Sequence, residues 1–385
     1  MTMTFREMNL RVFQRKPIPH VFFQPRFEPW FDWHRQFNSL PPEIEDLSLR
    51  ESYDMVGASM RTVHYYTGQP DPVTTSYSPD VKFAVTTEGD LRKLRFDTPH
   101  GPLLETQKFT VDRTWRTVEF LAKKPEDLPA LRWLLTRRQL HFSADNFRQG
   151  AEYLGDRGIP QFWVPKSPYF AMAQQFMRYE DFIYALVDHP KAVEEIMDVI
   201  DDSYEGLYEE LASSALLDIL NFGENIAMAY LSHRYFEQYV LPWYEKRSGQ
   251  LRDAGIFTHI HIDGYFRGLL PYLKDLPFDG LEALTPEPQG DVSLEEMAEA
   301  MGDKILLDGI PAVLFLDHYS REEFEACVKR VVELFHPLLV LGISDELPEA
   351  GGDESFRRLR WIGEWCKTRP MANNDKSGRK GGVAL

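Results

Sequence analysis

The chain has 385 residues, of which 43% are apolar and 27% charged, a mix that buries a core and excludes disorder as the main state. Lys and Arg total 43 against 60 Asp and Glu, a formal net charge of −17 at pH 7, which argues against a general polyanion binder because nucleic-acid affinity rests on cations meeting phosphates. No apolar run approaches the roughly 18 residues needed to span a bilayer, and the N-terminus MTMTFREMNLRVFQRKPIP lacks the uninterrupted apolar stretch of a signal peptide. Cys327 and Cys366 sit on apolar helical stripes, so packing is their expected role and no disulfide framework or thiolate metal site is available. A cytoplasmic protein with neither membrane nor nucleic-acid partners is the expectation.

In chain order, the first strand is expected at His20–Phe23, followed by the turn-prone QPRFEPWFDW. Residues 50–115 carry short alternating runs separated by Gly, Pro and Asp, such as Arg61–Thr67, Val81–Thr87 and Leu104–Thr110, which predicts an insertion rich in antiparallel hairpins. From Lys124 onward helices alternate with short strands. The later apolar runs are Leu216–Phe222, Ile256–Ile262, Gly280–Leu284, Lys304–Ile310 and Leu338–Ile343, with helical segments between them. Such a repeat implies a parallel sheet, and short apolar strands each followed by a helix fit a closed (β/α)8 barrel. No Gly-rich turn follows the first strand, so a dinucleotide-binding sheet is not supported. One barrel domain over 1–369 is expected, with 370–385 a disordered polar tail.

Barrel active sites lie at the C-terminal ends of the strands. The five later runs lead there into Glu224-Asn225, Asp263-Gly264, Thr285-Pro286-Glu287, Asp308-Gly309 and Ser344-Asp345-Glu346, a carboxylate each time. A lone acid in that place is as readily a helix cap, but five on one rim point to a polar centre. The sharpest segment is FTHIHIDG. Strand alternation sends Ile260 and Ile262 to the helices and His259, His261 and Asp263 to the interior, where ionisable groups must pair, titrate or bind something. His261 with Asp263 suits a metal site, completed by Asp345 or Glu224, or acid–base chemistry; spacing leaves both open. HExxH, P-loop, GxSxG and CxxC motifs are absent.

At these residues, the run GEN…HIHIDGYFRGLLPYL…LEALTPEPQGDVSLEEMAEAMGDKILLDGI and the opening RVFQRKPIPHVFFQPRFEPW resemble the uroporphyrinogen decarboxylase superfamily. The resemblance spans about residues 5–368 and implies a (β/α)8 barrel. Decarboxylases of that superfamily act without a cofactor and carry an Arg-Gln-Ala-Gly-Arg stretch where this chain reads Pro25–Trp33. Thiol-methylating members bind zinc through His-x-Cys and a later Cys; those cysteines match Asp263 and Asp345, beside His261.

The resemblance therefore implies a methyltransferase or demethylase moving a methyl group between a small O- or N-methylated substrate and a corrinoid protein or folate carrier. His261, Asp263, Glu224 and Asp345 are its expected catalytic centre. Arg26, Trp30, Asn225, His259, Tyr265 and Glu287 are the expected substrate contacts. A divalent ion, zinc first, is expected on His261, Asp263 and Asp345 if a metal is present. The alternatives are a cofactor-free decarboxylase of uroporphyrinogen or another polycarboxylate, clamped by Arg26 and Arg267, and a non-catalytic ligand-binding barrel. A homodimer is compatible with all three.

Overall fold

The computed structural model describes residues 3–226 and 231–369; the expected disordered tail at 370–385 lies outside them. Helix α1 (Phe5–Phe13) opens on a capping box in which Thr4 and Glu7 satisfy each other's backbone N–H groups. The chain then runs extended through 22–24, forms α2 (Glu28–Gln36) and α3 (Leu49–Val56), and is extended again through 59–63. Next comes an antiparallel insertion: β1 (Val73–Tyr77), then a meander of β2 (Lys82–Glu88), β3 (Leu91–Thr98), β4 (Gly101–Phe109) and β5 (Trp115–Glu119). Helix α4 (Leu128–Leu135) leads to β6 (Arg138–Phe142), which pairs back onto β1.

After α5 (Ala144–Leu154), six strands form a parallel sheet: β7 (Trp163–Val164), β8 (Ile219–Ile226), β9 (Phe257–Ile262), β10 (Gly280–Glu282), β11 (Ile305–Pro311) and β12 (Leu339–Ser344). Two further segments close the ring. The Leu341 N–H donates to Phe22 O at 2.9 Å and the Gln24 N–H to Leu341 O at 2.8 Å. The Ser59 N–H donates to Phe23 O at 2.9 Å, and the Val63 N–H to Gln161 O at 2.9 Å. Both segments run parallel to their neighbours, so eight parallel segments make a closed barrel, as the strand-then-helix rhythm predicts.

The insertion is displaced from its expected bounds. Residues 49–56 are helix, with the capping pair Ser48 and Glu51, and 59–63 is a barrel strand. Of the run Arg61–Thr67, only 61–63 is extended, buried and parallel; 64–67 turns away, with Tyr66 at a φ of 52°. The antiparallel elements run from Val73 to Phe142.

The two ends of the barrel differ in chemistry. Met8, Val12 and Phe13 of α1 pack with Ile18, Phe22, Ile159, Ile219, Ile305, Leu307 and Val340 in a separate apolar cluster, which plugs the N-terminal end. Polar side chains begin one layer higher. The 59–63 segment and the approach to β7 must lie close together for this. At Gly158 an added Cβ would sit 1.9 Å from the Met60 carbonyl oxygen and 2.8 Å from Ser59 Oγ. Backbone cannot give way there as a side-chain tip would, so Gly158→Ala is expected to lower stability by about 1–3 kcal/mol. Urea unfolding measures this; an unchanged midpoint would mean that these two strands do not abut.

Candidate active site

Alternation in β9 sends His259 and His261 into the barrel, while Ile260 and Ile262 pack, fully buried, under the outer helices. Between the two imidazoles and β11 lies Glu282, the last residue of β10, with no solvent exposure. Arg61 donates from Nη1 to Glu282 Oε1 and from Nη2 to Asp308 Oδ1, the latter at 2.8 Å. Asn221 Nδ2 donates to Glu282 Oε2 at 2.5 Å, and His259 Nδ1 stands 3.0 Å from the same oxygen. Gln24 accepts from Arg61 Nε at 3.0 Å, and Gln161 Oε1 meets His259 Nε2 at 2.8 Å. Burial works against the Glu282 charge, yet Arg61 and His259 hold its carboxyl well below the usual range. Asp308 shares Arg61 but has fewer donors; burial pushes it up to about 6. Leu307 and Asp308 both face inward because Asp308 adopts a left-handed φ of 83°, which breaks the strand alternation.

One layer above, His261 Nδ1 lies 3.8 Å from Glu282 Oε1 and Nε2 lies 3.8 Å from Asp345 Oδ1. Its Nε2 is buried and has no hydrogen-bond partner among the described residues. Burial disfavours the imidazolium, but Glu282 and then Asp345 outweigh it, so the His261 pKa is raised above 6.5; that of His259, deeper and beside Arg61, is lowered by burial.

Arg26 roofs this layer. It donates to Asp345 Oδ1 at 3.3 Å and to Glu346 Oε1, and its guanidinium lies 5.2 Å from the Tyr65 ring and 5.7 Å from that of Trp163. Gly223 leaves room for the indole: a Cβ there would be 2.7 Å from Trp163 Cδ1. The β4–β5 turn of the insertion reaches the same mouth, where Tyr66 donates to Asp112 O, Gln36 to Val111 O, and Arg113 pairs with Asp32.

Of the residues expected at the centre, His259, His261, Arg26 and Asp345 are brought together. The others are not. Glu224 has the opposite parity to Asn221: it accepts from the Ser167 N–H at 2.6 Å, from Ser167 Oγ at 2.7 Å and from Tyr244 at 3.0 Å, so it binds the strand to the helix layer. Asp263, half-buried past the end of β9, acts electrostatically on Lys166. Asn225 is exposed at a φ of 55°. Trp30 is buried under helix Asp353–Lys367, with Nε1 donating to Gly351 O at 2.6 Å and its ring stacked on Phe356. Tyr265 is 59% exposed, and Glu287 is exposed on the loop beyond β10. Sequence reasoning missed Glu282, Arg61, Asn221, Gln24 and Gln161. Their one signal was a polar residue inside an apolar strand.

The expected metal set is not assembled. Among the described residues no three His, Cys, Asp or Glu side chains are grouped to hold an ion. Asp345 is already paired with Arg26, and Glu282 with Arg61. A dication beside two buried guanidinium groups would meet charges of its own sign, so these residues do not fit a resident metal. The two thiols are also unsuited to chemistry, since burial raises both, Cys327 up to about 12.

No protein-family model matches the chain, and no curated protein matches it. Among solved structures it is similar to a methyltransferase from Methanosarcina mazei at 14% identity, over 94% of this chain and 99% of that one, with a TM-score of 0.55. A B12-independent methionine synthase from Shewanella sp. W3-18-1 is similar at 12% identity, over 82% of this chain and 84% of that one, with a TM-score of 0.45. At such identity the first likeness establishes the fold and nothing finer. No helix among the described residues is long and apolar enough to cross a membrane.

Arg61→Met tests the network. Taking the guanidinium away from the buried Glu282 and Asp308 is expected to cost about 3–5 kcal/mol at pH 7. The sign with pH follows from linkage. In the parent, the depressed Glu282 pKa contributes stability above the ordinary carboxylate value of 4.5, lost as pH falls through the folded-state pKa. In the variant both carboxyls are raised, so the deficit shrinks between pH 7 and pH 5. Urea unfolding at the two pH values would refute the network by showing a constant deficit under 1 kcal/mol.

Proposed function

We propose that this chain is a methyltransferase or demethylase of the uroporphyrinogen decarboxylase-like group, in which His261 protonates the heteroatom that loses a methyl group. The observation that carries the reading is the buried, unpartnered Nε2 of His261, on the side of the partly exposed Asp345, in an imidazole whose proton Glu282 and Asp345 hold. The substrate class is a small O- or N-methyl compound, and the carrier is a corrinoid protein or folate; a corrinoid, when bound, supplies the nucleophile that takes the methyl carbon. As the carbon–heteroatom bond breaks, its electron pair stays on the heteroatom, which takes the Nε2 proton. That step turns a poor anionic leaving group into a neutral alcohol or amine. Asp345, 44% exposed, lies 3.8 Å from Nε2.

The remaining residues position and enclose. Arg26 fixes Asp345 and Glu346, while Tyr65, Tyr66 and Trp163 present ring faces and edges to a small apolar substrate. The likeness of fold to the Methanosarcina mazei methyltransferase supports the reading. A decarboxylase needs free guanidinium clamps, but Arg26 is engaged by Asp345 and Glu346, and Arg267 by Glu296 and the Asp291 carbonyl.

Turnover with O- and N-methyl substrates and a reduced corrinoid acceptor tests this. His261 acts as an acid, so kcat/KM is expected to be flat at low pH and to fall as pH rises through a pKa above 6.5. His261→Gln is expected to lose about 10²–10⁴-fold in kcat and the alkaline limb with it. An alkaline limb that survives the substitution would assign the proton to another group.

A further inference from the structure

We propose that the insertion sheet is a homodimer interface, in which β2 of one chain pairs antiparallel with β2 of a second copy about Val85. The four-stranded meander has two edges. The β5 edge is five residues long and its pairing with β4 shifts register at Thr106/Gln107; such irregularity protects an edge from pairing. The β2 edge has no such protection. It is seven residues of regular strand, without Pro or bulge, in register with β3 throughout and exposed at every position. Among the described residues no strand meets its outer backbone N–H and C=O groups.

The sequence KFAVTTE is complementary to itself in one register. Antiparallel pairing about Val85 sets Lys82 of each copy opposite Glu88 of the other, Phe83 opposite Thr87, Ala84 opposite Thr86 and Val85 opposite itself. Both charged residues of the strand thus meet opposite charge, twice per interface, as a two-fold contact requires. Phe83 and Val85, 58% and 50% exposed, share a face with the buried Phe96, on which Phe83 stacks at 5.9 Å. Pairing would join the two apolar faces into one surface across an eight-stranded sheet. The interface lies on the insertion alone and leaves the barrel's polar centre intact.

Sedimentation velocity of the full chain is expected to show a reversible dimer. Lys82→Glu and Glu88→Lys each place like charges opposite one another and should weaken dimerisation at least about tenfold. K82E/E88K should restore it, and an equimolar mixture of the two single variants should form the heterodimer. Both positions are exposed, and unchanged circular dichroism confirms the fold. Val85→Cys should cross-link to itself on oxidation and Thr87→Cys should not. A chain that stays monomeric, a dimer indifferent to K82E, or a double variant that fails to recover would each overturn the proposal.

Discussion

A carboxylate with no solvent exposure keeps its charge only where donors replace its water, and Glu282 is such a group. Arg61 from the second barrel segment and Asn221 from β8 donate to it, the His259 imidazole of β9 lies 3.0 Å away, and Arg61 carries the network on to Asp308 in β11. Side chains from separate strands therefore reach common partners across the barrel axis, above the apolar plug formed with α1. Removing any one donor leaves charge stranded in a dry interior, which makes the centre rigid and costly to disturb. The same carboxylate reaches upward to His261. One buried negative charge thus both ties the barrel together and sets the protonation of the group best placed for chemistry.

The mouth shows how the insertion serves the barrel. Its meander is mostly solvated, but the turn between β4 and β5 returns to touch Tyr66, Gln36 and Asp32. Tyr65 and Trp163 flank Arg26 beneath that turn. A largely solvated element thereby reaches the loop whose Tyr65 and Tyr66 stand beside Arg26.

Much of the fold was legible because helices and parallel strands announce themselves locally. The strand-then-helix rhythm gave the barrel, and FTHIHI gave the inward histidines, since a period of two permits only one alternative. The site was legible only in part. Glu224 lies in β8 out of phase with Asn221, and parity there depends on a strand start that apolar runs place loosely. Asp308 reaches the centre through a left-handed residue that breaks alternation. Arg61 was lost because its strand, buried on both faces, resembles the hairpin runs beside it. Glu282 was hidden inside a short apolar run, where its charge makes sense only once Arg61, 221 positions away in sequence, is placed against it.

The central claim is that Glu282 holds His261 as a proton-bearing acid at pH values where an ordinary histidine is neutral. Titration of the His261 imidazole by ¹⁵N NMR, assigned by loss of its signal in His261→Gln, measures this without need of a substrate. The account predicts a midpoint above the ordinary value of 6.5, with the His259 signal remaining neutral to lower pH. A His261 midpoint at or below 6.5 would contradict it.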